Sequence, residues 1–402
     1  LIKDTLYAKL MIKIKEKIDS GFWIVDEVIS SEAELEREYQ VSNITVRRAL
    51  KELSAEGVVY RIKGKGTYIN KDYYEKSKKE HVRPKVITVI MPYDPSKGGA
   101  QNAVAGMSDY LQDSGTNYLL NIVNSHNSRE CEREIIKKAE RISSGIVLYS
   151  APSLGEENLD LICELLASGY PMVSIDKNYG NVPVLSVQSD NRAGAYAATK
   201  YLIDNGHRNI AFVCNAPVSE SSSVVDRFLG YCNALNDNGI ELRSENVFAD
   251  YVRIAKEHCR PAYKELMQKE TLVDSFFLFY KTIFDMFLNR ANPITAAFCI
   301  NDYIAVDLYK TAKNIGVSIP ETVSVIGFDN LSFAGYLSPP LTTVEQNMYE
   351  IGYKAMELLI SKIVSDSGDS ENTVINVPTK LIERESVLDI RAGREKSNER
   401  FL

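Results

Sequence analysis

Two sets of residues in this chain have types and spacings suited to chemistry. The first lies in VSNITVRRAL, residues 41–50, where Arg47 and Arg48 follow a capping Ser42, with Asn43 and Thr45 at the leading end. Arginine presents a planar fork of donors that suits phosphate and the acceptor edge of guanine. A little further on, Lys63-Gly64-Lys65-Gly66 sets two amines among glycines that let a backbone approach phosphate closely. The second set is acidic. Asp94 follows VIMPY, Asp176 follows MVSI, Asn301-Asp302 follows AAFCI and Asp329 follows VSVIGF, so carboxylates recur at the ends of apolar runs. Ionised carboxylates accept protons from hydroxyl groups, the chemistry of a polyol site. Each set also has a plainer reading, because paired arginines can be a solvated helix face and Asp caps helices and turns.

The elements around the arginines decide between those readings. Residues 4–20 read as a helix, with Leu6, Leu10, Ile14 and Ile18 every fourth position and Gly21 at its end. Ser31 and Glu34 have the spacing of a capping box at the start of a second helix. A third helix opens at Ser42, carries Val46, Ala49, Leu50 and Leu53 on one stripe, and stops at Gly57. VVYRIKGKGTYIN then reads as two short strands around a glycine turn. Three helices and a hairpin make a winged helix-turn-helix, with the third helix in the major groove of DNA and its leading residues near base edges. Charge agrees: residues 41–85 hold 12 Lys+Arg against 5 Asp+Glu, on a chain of net charge −7. A basic end on an acidic body points to a polyanionic partner.

From residue 86 the texture changes. Apolar runs such as VITVIMP, GIVLYS, PMVSID, NIAFVCN, ITAAFCI and VSVIGFD alternate with helical patterns, as in doubly wound parallel sheets. About 300 residues suit two such lobes with a cleft, and ligands in these folds sit beyond the carboxyl ends of the strands. The expected divisions are a winged helix at 1–70, a linker at 71–85, a two-lobed sensing and dimerisation domain at 86–390 and a tail at 391–402. TVINVPTKLIERESV reads as the closing strand, and FFLFYKTIFDMF, residues 276–287, as a helix buried on one side.

Several classes are set aside. No run is apolar enough to span a bilayer, and no secretory signal pattern opens the chain, which sets the expectation of a cytoplasmic protein without a membrane partner. The six cysteines form no C-x-x-C and do not pair with the four histidines at metal-ligand spacing, so neither a metal nor a cofactor is expected. G-x-S-x-G, H-E-x-x-H and G-x-G-x-x-G are absent, as is the G-x-x-x-x-G-K-[ST] phosphate loop, and no catalytic residue is assigned.

LYAKL, SSEAEL, VSNITVRRALKELSAEGVV and GKGTYI together resemble the GntR-type winged helix over residues 6–69. GHRNIAFV, DRFLGY, INDYIAVDLYKTAKNIGVSIPETVSVIGFDN and SPPLTTVEQ make residues 86–388 similar to the periplasmic-binding-protein-like effector domain of the LacI/GalR repressors. A GntR-type head on a LacI-type body resembles the arabinose-repressor subgroup of sugar-responsive bacterial repressors. That likeness implies a homodimer on double-stranded operator DNA, released when a small sugar such as L-arabinose closes the lobes. It implies DNA contacts at Ser42, Asn43, Thr45, Arg47, Lys63, Gly64, Lys65 and Gly66, with Glu32 in the family's acidic position and Arg48 as a further candidate. It implies effector contacts at Asp94, Arg227, Asp302, Asp329 and Gln346. The chain departs from the family at Asn43, where Arg is usual; an amide suits adenine rather than guanine. Two other readings stay open on sequence: a ligand that promotes DNA binding, and a sugar-binding protein without a regulatory role.

Overall fold

The computed structural model describes residues 6–19, 22–23, 25, 28–74, 86–92, 99–150, 158–179, 182–249, 251–258, 272–364 and 374–391. The chain divides into two compact units, Leu1–Pro84 and Lys85–Leu402.

In the first unit, helices α1 (Leu6–Asp19), α2 (Glu32–Tyr39) and α3 (Asn43–Ala55) precede a hairpin of β1 (Val59–Ile62) and β2 (Gly66–Ile69). Local chemistry sets the boundaries. Ser31 Oγ accepts from the Glu34 N–H while the Glu34 carboxylate accepts from the Ser31 N–H, a complete capping box. Ser42 Oγ accepts from the Thr45 N–H and so starts α3. At the other end Gly57, with φ +72°, turns the chain out of the helix. Gly21, the expected stop of α1, lies outside the described residues. Leu10, Ile14 and Ile18 meet Leu35, Val46, Ala49, Leu50 and Leu53 in one core, closed by Val59 and Ile69 of the hairpin. Leu6 begins the same sequence stripe but is exposed and lies outside that core.

The second unit holds two six-stranded sheets, as the α/β alternation predicts. The chain builds the first lobe from β3 (Val86–Met91), α4 (Ala100–Asp113), β4 (Leu119–Asn124), α5 (Arg129–Ile142), β5 (Gly145–Leu148), α6 (Leu159–Ala167), β6 (Met172–Ile175) and β7 (Leu185–Ser189). It then builds the second from α7 (Asn191–Asp204), β8 (Ile210–Val213), α8 (Ser222–Asp237), β9 (Val247–Phe248), α9 (Tyr251–His258), α10 (Leu272–Leu288), β10 (Ala296–Cys299), α11 (Asp302–Ile315), β11 (Ser324–Asp329) and β12 (Thr342–Glu345). Helix α12 (Met348–Val364) and strand β13 (Val374–Val377) return to the first lobe, and β14 (Lys380–Ile382) ends in the second. The strand orders are β13-β7-β6-β5-β3-β4 and β14-β12-β11-β10-β8-β9. Every pairing is parallel except β14 against β12.

The chain therefore passes between lobes at Asp190, between Glu345 and Met348, and between Val377 and Lys380. The last passage corrects the expected single closing strand. TVINVPTKLIERESV breaks at Pro378-Thr379, because proline cannot donate to a ladder, and its halves join different sheets. The aromatic stretch behaves as expected: Phe279, Tyr280, Ile283, Phe284 and Phe287 of α10 enter the second lobe's core while Phe277 is exposed. Glycine allows the closest helix contact in the first lobe, where a Cβ on Gly352 of α12 would lie 1.9 Å from the Ala103 carbonyl of α4. No helix among the described residues is long and apolar enough to cross a membrane.

Candidate DNA interface and ligand cleft

The first candidate surface is the leading end of α3. Arg47 is exposed, and its Nε donates to Glu32 Oε2 at 2.9 Å. Glu32 opens α2, so one carboxylate ties the two helices. The same carboxylate accepts from Arg61 of β1 at 2.7 Å. The Arg47 hydrogen bond and the flanking charges of both arginines, against partial burial, hold Glu32 below the usual carboxylate range. Ser42 and Thr45 spend their hydroxyls on each other at 2.9 Å while capping α3. Asn43 Nδ2 donates to Glu36 Oε2 at 3.4 Å. In the hairpin turn Lys63, Gly64 and Lys65 are exposed; Gly66 is half-buried, where a Cβ would strike Val28.

Arg48, also exposed, makes a different contact. One residue further along α3 rotates the side chain by about 100°, and its guanidinium lies 4.1 Å from the Tyr7 ring centroid of α1. That cation–π contact ties α1 to α3. Two neighbours escaped the sequence reading. Arg61 stands in the first strand of the hairpin, where nothing local marks it. Ile44 is 80% exposed beside Asn43, and its place at the front of α3 but off the apolar stripe was the available signal.

The second candidate site lies where carboxyl ends of strands from both lobes meet. Asp329 ends β11 with φ +107°, in backbone space that side chains rarely adopt. Its Oδ1 accepts from Gln346 Nε2 at 2.5 Å and faces Arg227 Nη1 at 3.4 Å. Gln346 Oε1 in turn accepts from Ser189 Oγ of the first lobe at 2.7 Å. Arg227, nearly fully buried on α8, donates through Nε to Asn191 Oδ1 at 2.8 Å and through Nη1 to the Ile300 carbonyl. Its guanidinium lies 3.8 Å from the Phe328 ring centroid. From the first lobe, Tyr149 lies near Asp176; that charge, burial and the charge of Asp329, with Arg227 opposing, push the phenol well up. Burial raises Asp329 to about 6, with Arg227 opposing and Asp176 adding to the shift. Two carboxylates, one guanidinium, a neutral phenol and an amide thus converge from both sheets. Donors and acceptors of that kind match the hydroxyls of a polyol.

Of the five expected effector residues, Arg227, Asp329 and Gln346 meet here. Asp94 lies outside the described residues. Asp302 is placed elsewhere: it is fully buried, Oδ2 accepting from the Leu331 N–H at 2.8 Å and Oδ1 from Thr343 Oγ1 at 2.6 Å. Burial raises it to about 7. The helix cap is its neighbour Asn301, whose Oδ1 accepts from the Ile304 N–H. Asp302 therefore supports the chain just after Asp329 rather than opening into the cleft. Asp302→Ala orphans two buried donors, and the body is expected to lose about 2–6 kcal/mol of stability, at roughly 1–3 kcal/mol per group. Urea unfolding followed by circular dichroism measures it, and an unchanged midpoint would refute the supporting role. Tyr149, Asn191 and Ser189 were not found from sequence, since nothing local marks them. No cluster of His, Cys, Asp and Glu among the described residues could hold a metal ion.

Known proteins can be set beside this geometry. The family model described as bacterial regulatory proteins of the gntR family matches residues 6–69. One described as a periplasmic binding protein-like domain matches residues 199–387, and one described as periplasmic binding proteins and sugar binding domain of the LacI family matches residues 139–251. The arabinose metabolism transcriptional repressor of Geobacillus stearothermophilus is 29% identical over 386 residues, 96% of this chain and 98% of that protein. The HTH-type transcriptional repressor PurR of Vibrio atlanticus is 30% identical over 71% of this chain and 76% of its own. Among solved structures, the transcription regulator CcpA of Lactococcus lactis has TM-score 0.60 at 23% identity, covering 76% of this chain and 100% of its own. The transcriptional regulator CelR–cellobiose complex has TM-score 0.60 at 22% identity, covering 95% and 98%. Both structures share the fold.

Proposed function

Because the chain belongs to the bacterial regulators that join a GntR-type winged helix to a LacI-type body, and its relatives are repressors rather than enzymes, we propose that it is an operator-binding repressor released by a small carbohydrate. It acts as a homodimer in the cytoplasm. The observation that carries the sensing role is the Tyr149–Asp176–Arg227–Asp329–Gln346 cluster, contributed by both lobes. A sugar held there bonds to both sheets at once and so favours one lobe arrangement, which is the condition for coupling to DNA. L-arabinose is the first candidate, supported by the Geobacillus relative that matches nearly end to end. The contacts proposed for DNA are Asn43, Thr45 and Arg47 of α3 and its cap Ser42, with Lys63, Gly64, Lys65 and Gly66 of the turn. Phosphate neutralisation supplies most of the affinity and makes it salt dependent.

The homodimer is what the likeness to operator-binding repressors implies. Sedimentation of the purified chain checks it: a monomer at working concentration refutes the dimer.

Calorimetric titration with a panel of pentoses and hexoses tests the sensing role; one sugar binding well above the rest supports it, and no binding to any refutes it. The site also predicts a pH dependence. Asp329 titrates at about 6, and its ionised form is the full acceptor, so sugar affinity is expected to fall as pH drops through 6. Stability runs the other way. The folded pKa lies above the ordinary aspartate value of 3.8, so between about 4 and 6 the folded state binds more protons and this group's contribution weakens as pH rises. Titration of the same sugar on either side of pH 6 measures the first effect, and Asp329→Asn should flatten the profile.

A further inference from the structure

Arg61 lies outside every contact set considered so far. It sits on β1, whose Val59 faces the core; with strand alternation, Arg61 shares that side and reaches toward α2. There its Nη2 donates to Glu32 Oε1 at 2.7 Å, while Arg47 Nε donates to Glu32 Oε2 at 2.9 Å. Three elements thus deliver two cations to one carboxylate. The Glu32 side chain keeps 18% of its surface exposed, whereas Arg47 keeps 67% and Arg61 63%. The acid is the covered hub and the guanidiniums are the exposed rim. Each uses one nitrogen on Glu32, leaving its other N–H groups for a ligand. The local sum is one net positive charge, held in fixed geometry.

We propose that Arg61 is a second DNA-contacting arginine, set beside Arg47 by their shared Glu32 and directed at the phosphate backbone flanking the groove that α3 enters. The inference rests on α3 being the DNA-reading helix. A side chain held on the same carboxylate as Arg47 is adjacent to whatever Arg47 meets. The strand that carries it leads directly into Lys63 and Lys65, so β1 and the turn form one cationic edge. A bidentate guanidinium on phosphate is a charge-assisted contact without sequence information. Arg61 therefore strengthens operator and non-operator DNA alike, unlike Arg47. The pair with Glu32 also keeps Arg61 ordered before DNA arrives, which lowers the cost of ordering it on binding.

The test is a salt series of anisotropy titrations with the full chain. The duplexes are DNA from upstream of its own gene and a scrambled duplex of equal length. Arg61→Ala is expected to weaken both several-fold and to reduce the steepness of log K against log salt by about 0.9. Arg61→Lys should restore the slope and most of the affinity. An unfolding midpoint equal to wild type shows that the head is intact, as expected for an ion pair with an exposed arginine, which adds little to stability. Wild-type affinity and slope in Arg61→Ala would overturn the proposal while leaving α3 as the reading helix. Failure of the wild-type chain to bind either duplex would overturn the DNA reading itself.

Discussion

Asp329→Ala is expected to weaken sugar binding by more than about a hundredfold and to leave DNA binding unmoved by sugar. The magnitude follows from what one carboxylate does. It is the acceptor for Gln346 and faces Arg227, and these residues are the site's principal polar groups from the second lobe. Loss of two charge-assisted contacts to ligand hydroxyls, at about 1.5–3 kcal/mol each, gives that factor or more. The fold should survive, because Arg227 remains held by Asn191 and the Ile300 carbonyl. DNA affinity without sugar should equal wild type, so the variant is a repressor that cannot be induced. Calorimetry measures the first effect and anisotropy the second. Near-normal sugar affinity would remove Asp329 from the site.

The second large effect concerns the head. Arg47→Ala is expected to weaken binding to the upstream duplex by about ten- to a hundredfold, as for loss of one bidentate base contact worth about 1–3 kcal/mol. The scrambled duplex should lose less, so discrimination falls along with affinity. That difference separates Arg47 from Arg61, whose loss lowers both duplexes together. Glu32 keeps Arg61 as a partner, and the capping box beside it does not involve Arg47, so the head should stay folded. Sugar affinity should not change. Equal operator affinity in the variant would return Arg47 to the role of a solvated helix charge.

How much of this could be read from sequence depended on range. Ser31, Glu34 and Ser42 act on groups three residues away, so spacing alone revealed them. The alternation of apolar runs with helical stripes revealed the two sheets, because buried parallel strands have little choice of composition. The place of Asp329 at a strand end was legible for the same reason. Asp302 shows the limit of that rule. It also follows a strand end, yet it begins α11 and turns inward to Leu331 and Thr343, while Asn301 takes the cap. One residue of helix phase separates the two roles, and a pattern of residue types does not resolve it. Pairings between distant residues were invisible. Arg61 meets Glu32 across 29 positions and Ser189 meets Gln346 across 157, with no local signature for either. The splitting of the closing strand belongs to the same class, since Pro378 marks a break but not the sheet that each half joins.

Arg48 shows a different limit. Side by side in sequence, Arg47 and Arg48 have the same chemistry, and only partners on other helices distinguish them, Glu32 for the first and Tyr7 for the second. One step along the helix separates the two contacts.

The most direct test of the account is the affinity of the wild-type chain for its upstream duplex, measured by anisotropy with and without the sugar that calorimetry identifies. The account predicts tight, salt-sensitive binding that the sugar weakens, with sugar affinity weakened by the same factor when DNA is saturating, as linkage requires. Tight DNA binding that no bound sugar weakens would contradict it.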